Sequence, residues 1–325
     1  MIQQPDPDIY VQGILEGNRR MIAKTITLME SSLASHQQAA FAIMEKILPR
    51  TGNSIRLGIT GVPGVGKSTF IENLGVFLAD KGHRVAVLAV DPTSRRSGGS
   101  IMGDKTRMEK LSAHENAFIR PSPAGETLGG VAAKTREIML VCEAAGFDVI
   151  LVETVGVGQS ETSVASMVDF FLVLMIAGAG DELQGIKKGV LELADAIAIN
   201  KADGSNIEAV ERARLDLETA MHFIRPESPT WTTPVLTCSS IMEGGTQNIW
   251  QTVLKHNSLL KASGEFEQRR RKQSLEWMWT LVEEGLKKLF TGNKKINETI
   301  PAISYQVENG QISPFAAAEK LLSYL

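Results

Sequence analysis

The chain has 325 residues, of which 43% are hydrophobic and 22% are charged, and its formal net charge is -3. This composition is typical of a globular protein with a large core, whereas a dominant nucleic-acid surface would show a basic excess. The two cysteines exclude a disulfide framework and indicate a reducing compartment. The longest apolar run, residues 170–180, is too short to span a membrane, and the first residues lack a secretion signal, so we expect a soluble cytoplasmic protein.

The predicted elements divide the chain into three parts. Residues 1–52 form a helical extension, because apolar residues recur there at helical spacing. In residues 53–262, apolar strands alternate with helices and Gly-rich loops, which predicts a mainly parallel sheet with helices on both faces. Residues 263–325 are helical again, with one long helix over about 263–290 and a last one over about 314–325. The predicted strands are 55–60, 84–90, 117–120, 148–153, 170–176, 195–200 and 234–238.

A phosphate-binding loop follows the first predicted strand. The segment GVPGVGKST satisfies the pattern G-x-x-x-x-G-K-[ST], and it lies between a strand and a helix. Its glycines let the backbone wrap around phosphate oxygens, and the N–H groups at the helix start offer partial positive charge. In this pattern Lys67 bridges the β- and γ-phosphates and the Ser68 hydroxyl binds Mg²⁺, which predicts an α/β fold of the P-loop NTPase type. The expected phosphate-binding residues are Gly61, Pro63, Gly64, Val65, Gly66, Lys67, Ser68 and Thr69.

A guanine-reading motif ends a later strand. Asn200, Lys201 and Asp203 belong to the segment NKAD, which has the N-K-x-D arrangement of GTPases. An ionised Asp203 accepts hydrogen bonds from N1–H and the exocyclic N–H₂ of guanine, a donor pair that adenine lacks at that edge. The stem of Lys201 covers one face of the base, and Asn200 ties this loop to the phosphate loop. After the next strand, the Ser239 and Ser240 backbone fits the final base-contacting turn, so we expect GTP rather than ATP.

Several acids occupy positions where a nucleotide-sensing loop is expected. Asp91 and Glu153 end strands on the ligand side of a parallel sheet, and Asp104 lies in a Gly-rich loop. Glu153 begins ETVG, in the place of a D-x-x-G switch, where the Gly156 amide senses the γ-phosphate. Gln159 is a candidate to orient the attacking water, although an ordinary loop amide fits the sequence equally. The candidate catalytic residues are Lys67, Glu153 and Gln159, and the candidate metal ligands are Ser68, Asp91, Asp104 and Glu153, the carboxylates acting through water.

Four segments resemble a known protein family. VDPTSRRSGGSIMGDKTRM, ETVGVGQSE, IAGAGDELQGIKKG and NKAD are together similar to the MeaB/ArgK family of P-loop GTPases, and the resemblance runs across essentially the whole chain. It implies a homodimeric GTPase chaperone of an adenosylcobalamin-dependent acyl-CoA mutase, typically methylmalonyl-CoA mutase. Such a protein gates cofactor delivery and protects the mutase. The resemblance also implies a segment that relays nucleotide state, with Asp181 and Lys187 as signalling candidates. The family usually has Ser-Ala where this chain has Ser239 and Ser240.

Two other functions remain open. A phosphotransferase would use the same phosphate loop to move the γ-phosphate to a protein or small molecule, and older names of relatives as arginine/ornithine transport kinases belong to this class. Labelled GTP separates the two functions, because a GTPase releases the phosphate only into water. An ATPase of another P-loop branch is disfavoured by Asp203.

The predicted long C-terminal helix carries a basic run and an apolar stripe. We interpret the run QRRRKQ, residues 268–273, as a solvated helix face. The stripe is wider than one contact face needs, so it predicts burial between two copies of the chain. Its residues are Leu275, Trp277, Met278, Trp279, Leu281, Val282, Leu286 and Leu289.

Overall fold

A single sheet forms the centre of the structure, a computed structural model that describes residues 6–90, 108–121, 128–154, 159–178, 188–224, 228–242 and 244–325. Seven strands of these residues form it in the order β3-β2-β4-β1-β5-β6-β7, and every neighbouring pair is parallel. The strands are β1 (Ile55–Gly61), β2 (Val85–Val90), β3 (Ala117–Arg120), β4 (Val149–Thr154), β5 (Phe170–Ile176), β6 (Ala196–Asn200) and β7 (Val235–Thr237).

Helices accompany the sheet and form most of the chain after β7. The chain divides into two compact units, residues 1–271 and 272–325, and the boundary falls within helix α11. Among the described residues the α-helices are α1 (Pro7–Leu15), α2 (Arg19–Glu30), α3 (Ala34–Ile47), α4 (Lys67–Asp80), α5 (Glu109–Ala113), α6 (Leu128–Ala144), α7 (Gln159–Ala165), α8 (Lys188–Glu192), α9 (Ile207–Met221), α10 (Gln247–Ser263), α11 (Glu265–Gly292), α12 (Lys294–Glu308) and α13 (Pro314–Leu322).

The strand order places a ligand crevice beside β1. The strand lies between β4 and β5, with β2 and β3 on one side and β6 and β7 on the other. In open parallel sheets, ligands bind outside the carboxyl ends of the strands, where the strand order reverses. The carboxyl ends of β1, β4 and β6 are Gly61, Thr154 and Asn200, so the predicted motifs follow strands that end at the same edge.

Two apolar cores lie on the two faces of the sheet. Alternate residues of β2 enter different cores: Ala86 and Leu88 enter one, and Val85 and Val87 enter the other. The first core includes residues from α1, α2, α3, α6, α7 and α9, and the second includes residues from α4, α5 and α10. Because both faces are covered, the strands are nearly continuous apolar runs, as parallel strands require.

The N-terminal helices form a layer of the first core. Ile22 and Ile43 are fully buried in it, together with residues of α6. The Arg19 guanidinium donates to the carbonyls of His114 and Ala117, and Arg120 at the end of β3 pairs with Glu30 at 2.5 Å. These contacts attach α2 beside the edge strand β3 and satisfy one of its carbonyl groups.

Three of the strands are each preceded by an aspartate, and all three aspartates make the same pair of backbone hydrogen bonds. Each carboxylate accepts a backbone N–H from a neighbouring strand at 2.7–2.9 Å, and each aspartate N–H is donated to the carbonyl of the same residue. Both hydrogen bonds extend the ladder by one position beyond the strand start. The pairs are Asp148 with Arg84, Asp169 with Arg56, and Asp195 with Phe171.

The interpretation of residues 268–273 as a solvated face is wrong for two arginines. Arg269 donates to both oxygens of Asp195 at 3.1 and 3.0 Å, and Arg270 donates to both oxygens of Asp169 at 2.8 and 2.7 Å. Asp169 and Asp195 have few exposed atoms, so these are partly buried bidentate ion pairs. They attach the first turns of α11 to the amino-terminal edge of the sheet.

The predicted fold class is confirmed. Each predicted strand is present with ends shifted by at most two residues, and the long helix predicted over 263–290 is α11. Helix α12 was not predicted. It contains Pro301, an unusual residue in a helix interior, and its start depends on the Asn293 side chain, which caps the N–H groups of Lys295 and Ile296.

Candidate functional site

The phosphate loop connects β1 to α4, and its shape requires glycine at two positions. Gly61 and Gly66 have φ values of 153° and 96°, which disfavour other residues. A Cβ atom on Gly61 would lie 2.4 Å from the Leu174 carbonyl oxygen, and one on Gly66 would lie 2.9 Å from the Asn200 amide nitrogen. The loop therefore passes too close to β5 and to the NKAD segment to carry side chains there.

Lys67 begins α4, and its side chain reaches back to the start of the phosphate loop. Its ammonium donates to the carbonyl oxygens of Gly61 at 2.7 Å and Val62 at 3.3 Å. Burial lowers the pKa of Lys67 below its usual value, while the negative charges of Glu153 and Glu161 oppose that shift. The lysine is thus a partly desolvated cation at the start of α4, where its charge acts strongly on phosphate oxygens.

A hydroxyl of α4 and a carboxylate of β4 meet beside the start of α4. The Ser68 hydroxyl donates to Glu153 at 3.0 Å, so the predicted metal ligand and the predicted switch acid are adjacent. One residue after Glu153, the buried Thr154 hydroxyl donates to the Thr60 hydroxyl at 2.7 Å and joins the ends of β4 and β1. A hydroxyl and a carboxylate at this spacing are hard oxygen donors, which suits Mg²⁺.

Several predicted residues lie outside the described part of the chain. Gln159 is the first residue of α7, and its side chain is not among those described. The structure therefore brings Ser68, Glu153 and Lys67 together and leaves the other switch assignments as predictions. The residues outside the described ranges are Asp91, Asp104, Gly156, Asp181 and Lys187.

Asn200 joins the base-reading segment to the phosphate loop. Its amide donates to the Val65 carbonyl at 2.8 Å. Its own oxygen accepts from the N–H and the hydroxyl of Ser240 at 3.0 and 2.8 Å, and from the Cys238 thiol at 3.6 Å. Because Asn200 is 1% exposed, this network lies in the protein interior and sets the distance between the two ends of the site.

The remaining base-reading residues lie beside Asn200. The Ser239 hydroxyl donates to the Asp203 carboxylate at 2.5 Å, which links the NKAD segment to the turn after β7. Lys201 has a φ of 63°, an uncommon value for a residue with a side chain, and its carbonyl accepts from the Asn206 amide at 2.9 Å. Such a conformation persists where the surrounding contacts maintain it, and it is typical of ligand-binding sites.

Both cysteines are buried thiols. Burial raises the pKa of Cys142 to about 12, and it raises the pKa of Cys238 to the same value. A thiol with so high a pKa forms little reactive thiolate near neutral pH, as is typical of cysteines in a protein core.

Sequence reasoning missed a polar contact at the same edge of the sheet. Asn73, in the second turn of α4, donates its side-chain amide to the carbonyl of Thr69 at 3.2 Å and to the carbonyl of Ser240. Asn73 belongs to no motif, and it lies 167 positions from Ser240 in the chain. The sequence carries no local signal for this contact.

The fold and the site define the class of the protein. A phosphate loop at the switch point of a parallel sheet, tied by Asn200 to an N-K-A-D segment, is the arrangement of P-loop GTPases. The family model described as "Methylmalonyl Co-A mutase-associated GTPase MeaB" matches residues 22–295. The chain belongs to this family, and the resemblance seen in the sequence is confirmed.

Individual relatives match nearly the whole chain. A protein of Caulobacter vibrioides is 52% identical over 323 residues, which cover 99% of each chain. The GTPase ArgK of Escherichia coli K12 is 45% identical over 97% of this chain and 95% of its own. The crystal structure of an LAO/AO transport system kinase is 39% identical, superposes with a TM-score of 0.77, and covers 100% of this chain and 99% of its own. The chain is a GTPase that binds GTP and GDP.

None of the described helices is both long enough and apolar enough to cross a bilayer.

Proposed function

We propose that this GTPase is a nucleotide-driven chaperone of an adenosylcobalamin-dependent acyl-CoA mutase of the methylmalonyl-CoA mutase type. In this role it gates cofactor delivery and protects the mutase in the cytoplasm. The family description names an association with that mutase. The observation that supports a single guanine nucleotide site is the Asn200 bridge, because it joins the phosphate loop to the base-reading segment.

At the phosphate end, we assign binding to the loop amides and to Lys67, and metal binding to Ser68 and Glu153. The 3.0 Å contact between the Ser68 hydroxyl and Glu153 fits a Mg²⁺ shell in which the carboxylate acts through water. Asp91 and Asp104 are proposed to complete that shell. When bound, Mg²⁺ neutralises charge on the β- and γ-phosphates. Lys67 orients the same phosphates, and Gln159 is the candidate for placing the attacking water.

At the base end, we assign guanine recognition to Asp203. The Ser239 hydroxyl orients the Asp203 carboxylate by a 2.5 Å hydrogen bond, and the Lys201 stem covers the base. The turn at Ser239 and Ser240 closes the pocket through its backbone. Without the two guanine donors the carboxylate would keep only the Ser239 hydroxyl as a described donor, so this site would discriminate against adenine nucleotides.

Changing Asp203→Asn tests this assignment. The amide offers a donor where guanine also offers donors, so we expect GTP affinity to fall by about 10²-fold or more. Xanthosine triphosphate, whose base carries an oxygen at the altered position, should bind the variant better than it binds the natural protein. Titrations of fluorescent nucleotides measure both effects.

The matched control is Asp216→Asn, an exposed carboxylate on α9. It should leave both affinities unchanged. A natural protein that binds ATP as tightly as GTP would contradict the assignment, as would an Asp203→Asn variant with unaltered GTP affinity.

The client assignment is tested with purified mutase. We expect a complex whose stability depends on nucleotide, so gel filtration with GDP and with a non-hydrolysable GTP analogue should give different fractions of complex. Labelled GTP separates the phosphotransferase alternative, because a GTPase places all the label in free phosphate. Label on the mutase or on a small-molecule acceptor would contradict the switch function.

We also propose that residues 263–325 are a dimerisation arm, beside a helical extension at 1–52 and a GTPase domain at 53–262. Seven residues of the α11 stripe are 41–66% exposed in the single chain, a large apolar surface for a protein in water. They are Leu275, Met278, Trp279, Leu281, Val282, Leu286 and Leu289. Light scattering at micromolar concentration should give the mass of a homodimer, and Leu286→Glu with Leu289→Glu should give a monomer.

A further inference from the structure

The turn proposed to contact guanine is attached to the rest of the site on two sides. On one side, Asn200 accepts from the N–H and the hydroxyl of Ser240. On the other side, the Ser240 carbonyl accepts from the side-chain amide of Asn73. Ser239 and Ser240 are each only 4% exposed, so both attachments act on a turn with little solvent around it.

Asn73 connects this turn to the helix that binds phosphate. It lies in α4, the helix that begins with Lys67 and Ser68, and the same amide nitrogen also donates to the Thr69 carbonyl at 3.2 Å. Because α4 packs through Phe70, Ile71 and other fully buried residues, Asn73 extends from a rigid element. The contact fixes the position of Ser240 relative to the first turn of that helix.

The chemistry of the Asn73 side chain suits this contact. An amide –NH₂ has two donor hydrogens, and two carbonyl oxygens accept from it here. Without Asn73, the Ser240 carbonyl would lose this donor, and the turn would be held from the NKAD side alone, through Asn200 and Asp203. A looser turn costs binding free energy, since the nucleotide must then order it.

We propose that Asn73 is a positioning residue for guanine nucleotide binding, which fixes the base-contacting turn against the phosphate-binding helix. The inference rests on the proposed contact of the Ser239–Ser240 turn with guanine. Asn73 acts through the turn and does not contact the reacting phosphates. Its loss should therefore weaken ground state and transition state equally, which raises KM and leaves kcat unchanged.

The experiment compares Asn73→Ala and Asn73→Asp with the natural protein. Loss of one hydrogen bond to the turn should raise the GTP KM and the Kd values of GTP and GDP by about three- to tenfold. The ratio of the two Kd values should stay constant, because the γ-phosphate end is unaffected. The Asn73→Asp variant keeps the shape of asparagine, but its carboxylate donates no hydrogen bond and faces two carbonyl oxygens. Its loss of nucleotide affinity should be at least as large as that of Asn73→Ala.

Asn116→Ala is the matched control. The Asn116 amide donates to the Ala79 carbonyl at the opposite end of the same helix, at 3.4 Å. This variant should keep the natural KM and kcat. All assays are run well below the melting temperature of every variant, so that a difference in stability does not change the folded fraction.

Two results would overturn the inference. Unchanged KM and Kd in both Asn73 variants would show that the turn needs no second attachment. A fall in kcat without a change in KM would show that Asn73 acts on the phosphates. The Asp203→Asn variant shows which proposal has failed. If the natural protein prefers GTP and Asp203→Asn shifts that preference toward xanthosine triphosphate, either of the two results above rejects only the role of Asn73. If the shift in preference is absent, the proposed guanine site itself is wrong.

Discussion

The two edges of the sheet use charge in different ways. At the amino-terminal edge, Arg56 donates twice to Glu143, at 2.8 and 3.0 Å, and the arginines of α11 pair with Asp169 and Asp195. These acids and arginines satisfy one another within the protein. A buried pair of this kind is costly to separate, because either partner alone would remain as an uncompensated charge.

At the carboxyl-terminal edge, the hydrogen bonds described for three groups of the candidate site are to neutral partners, whereas Arg120 at the end of β3 pairs with Glu30. Lys67 donates to two backbone carbonyls, and Asp203 and Glu153 each accept from a serine hydroxyl. Neutral partners can be exchanged for phosphate, metal or guanine at little cost. The comparison teaches that bidentate charge pairs at one edge provide stability, and that hydrogen bonds to neutral groups at the other edge can be replaced by a ligand.

The largest effect should come from Arg56→Met, which breaks the amino-terminal pairing. The side chain of Glu143 is 1% exposed, so removal of its partner should lower the free energy of unfolding by about 3–5 kcal/mol. Urea denaturation measures this loss. At low temperature the folded variant should hydrolyse GTP at the natural kcat, because the pair lies at the edge opposite the site.

The control for this change is Arg50→Met, which alters an exposed arginine in the nearby turn. It should change stability little. A loss of kcat in Arg56→Met without a loss of stability would break the comparison between the two edges.

Lys67→Ala should lower activity and leave stability nearly unchanged, which is the opposite of the effect expected for Arg56→Met. Removing a preorganised cation from the phosphates should lower kcat by about 10²–10³-fold. Stability should change little, because Lys67 is partly desolvated and donates only to backbone carbonyls. A malachite-green assay of phosphate release measures the rate, and Lys81→Ala, at the other end of α4, serves as control. A large loss of stability with unchanged turnover would contradict the separation of roles.

The pH dependence of stability should sharpen the comparison with a smaller effect. Burial alone would raise the pKa of Glu143, but hydrogen bonding and charge from Arg56, with hydrogen bonds from Ser54 and Gly52, hold it below its usual value of 4.5. Its contribution is therefore complete above about pH 4.5 and is lost as pH falls through the lower folded-state pKa. Each pKa unit of the shift corresponds to about 1.4 kcal/mol.

Denaturation of the natural protein and of Glu143→Gln at several pH values measures this contribution. The variant should be less stable near neutral pH, and its stability should fall less steeply below pH 4.5. Parallel curves for the two proteins would show that Glu143 does not titrate differently in the folded and unfolded states.

The sequence predicted the parts of the site that lie in local motifs. The phosphate loop, Gly61 to Thr69, is one continuous stretch of the chain, and the NKAD segment is another. Within each stretch, the residue pattern that predicts the motif spans only a few positions. Arg270 and Asp169 are 101 positions apart in the chain, and Arg269 and Asp195 are 74 positions apart. The basic run therefore did not indicate which acids its arginines contact. Asn73 and Ser240 are a similar case, since only the fold brings a helix residue to that turn.

The aspartates that precede β4, β5 and β6 have a consequence for folding. A parallel strand buried on both faces is a run of similar apolar residues, which by itself specifies its alignment weakly. Each aspartate places a carboxylate directly before its strand, hydrogen-bonded to one particular neighbouring residue. A strand displaced by one residue would leave its carboxylate without the N–H donor, and for the little-exposed Asp169 and Asp195 this penalises a misaligned sheet as the protein interior loses water.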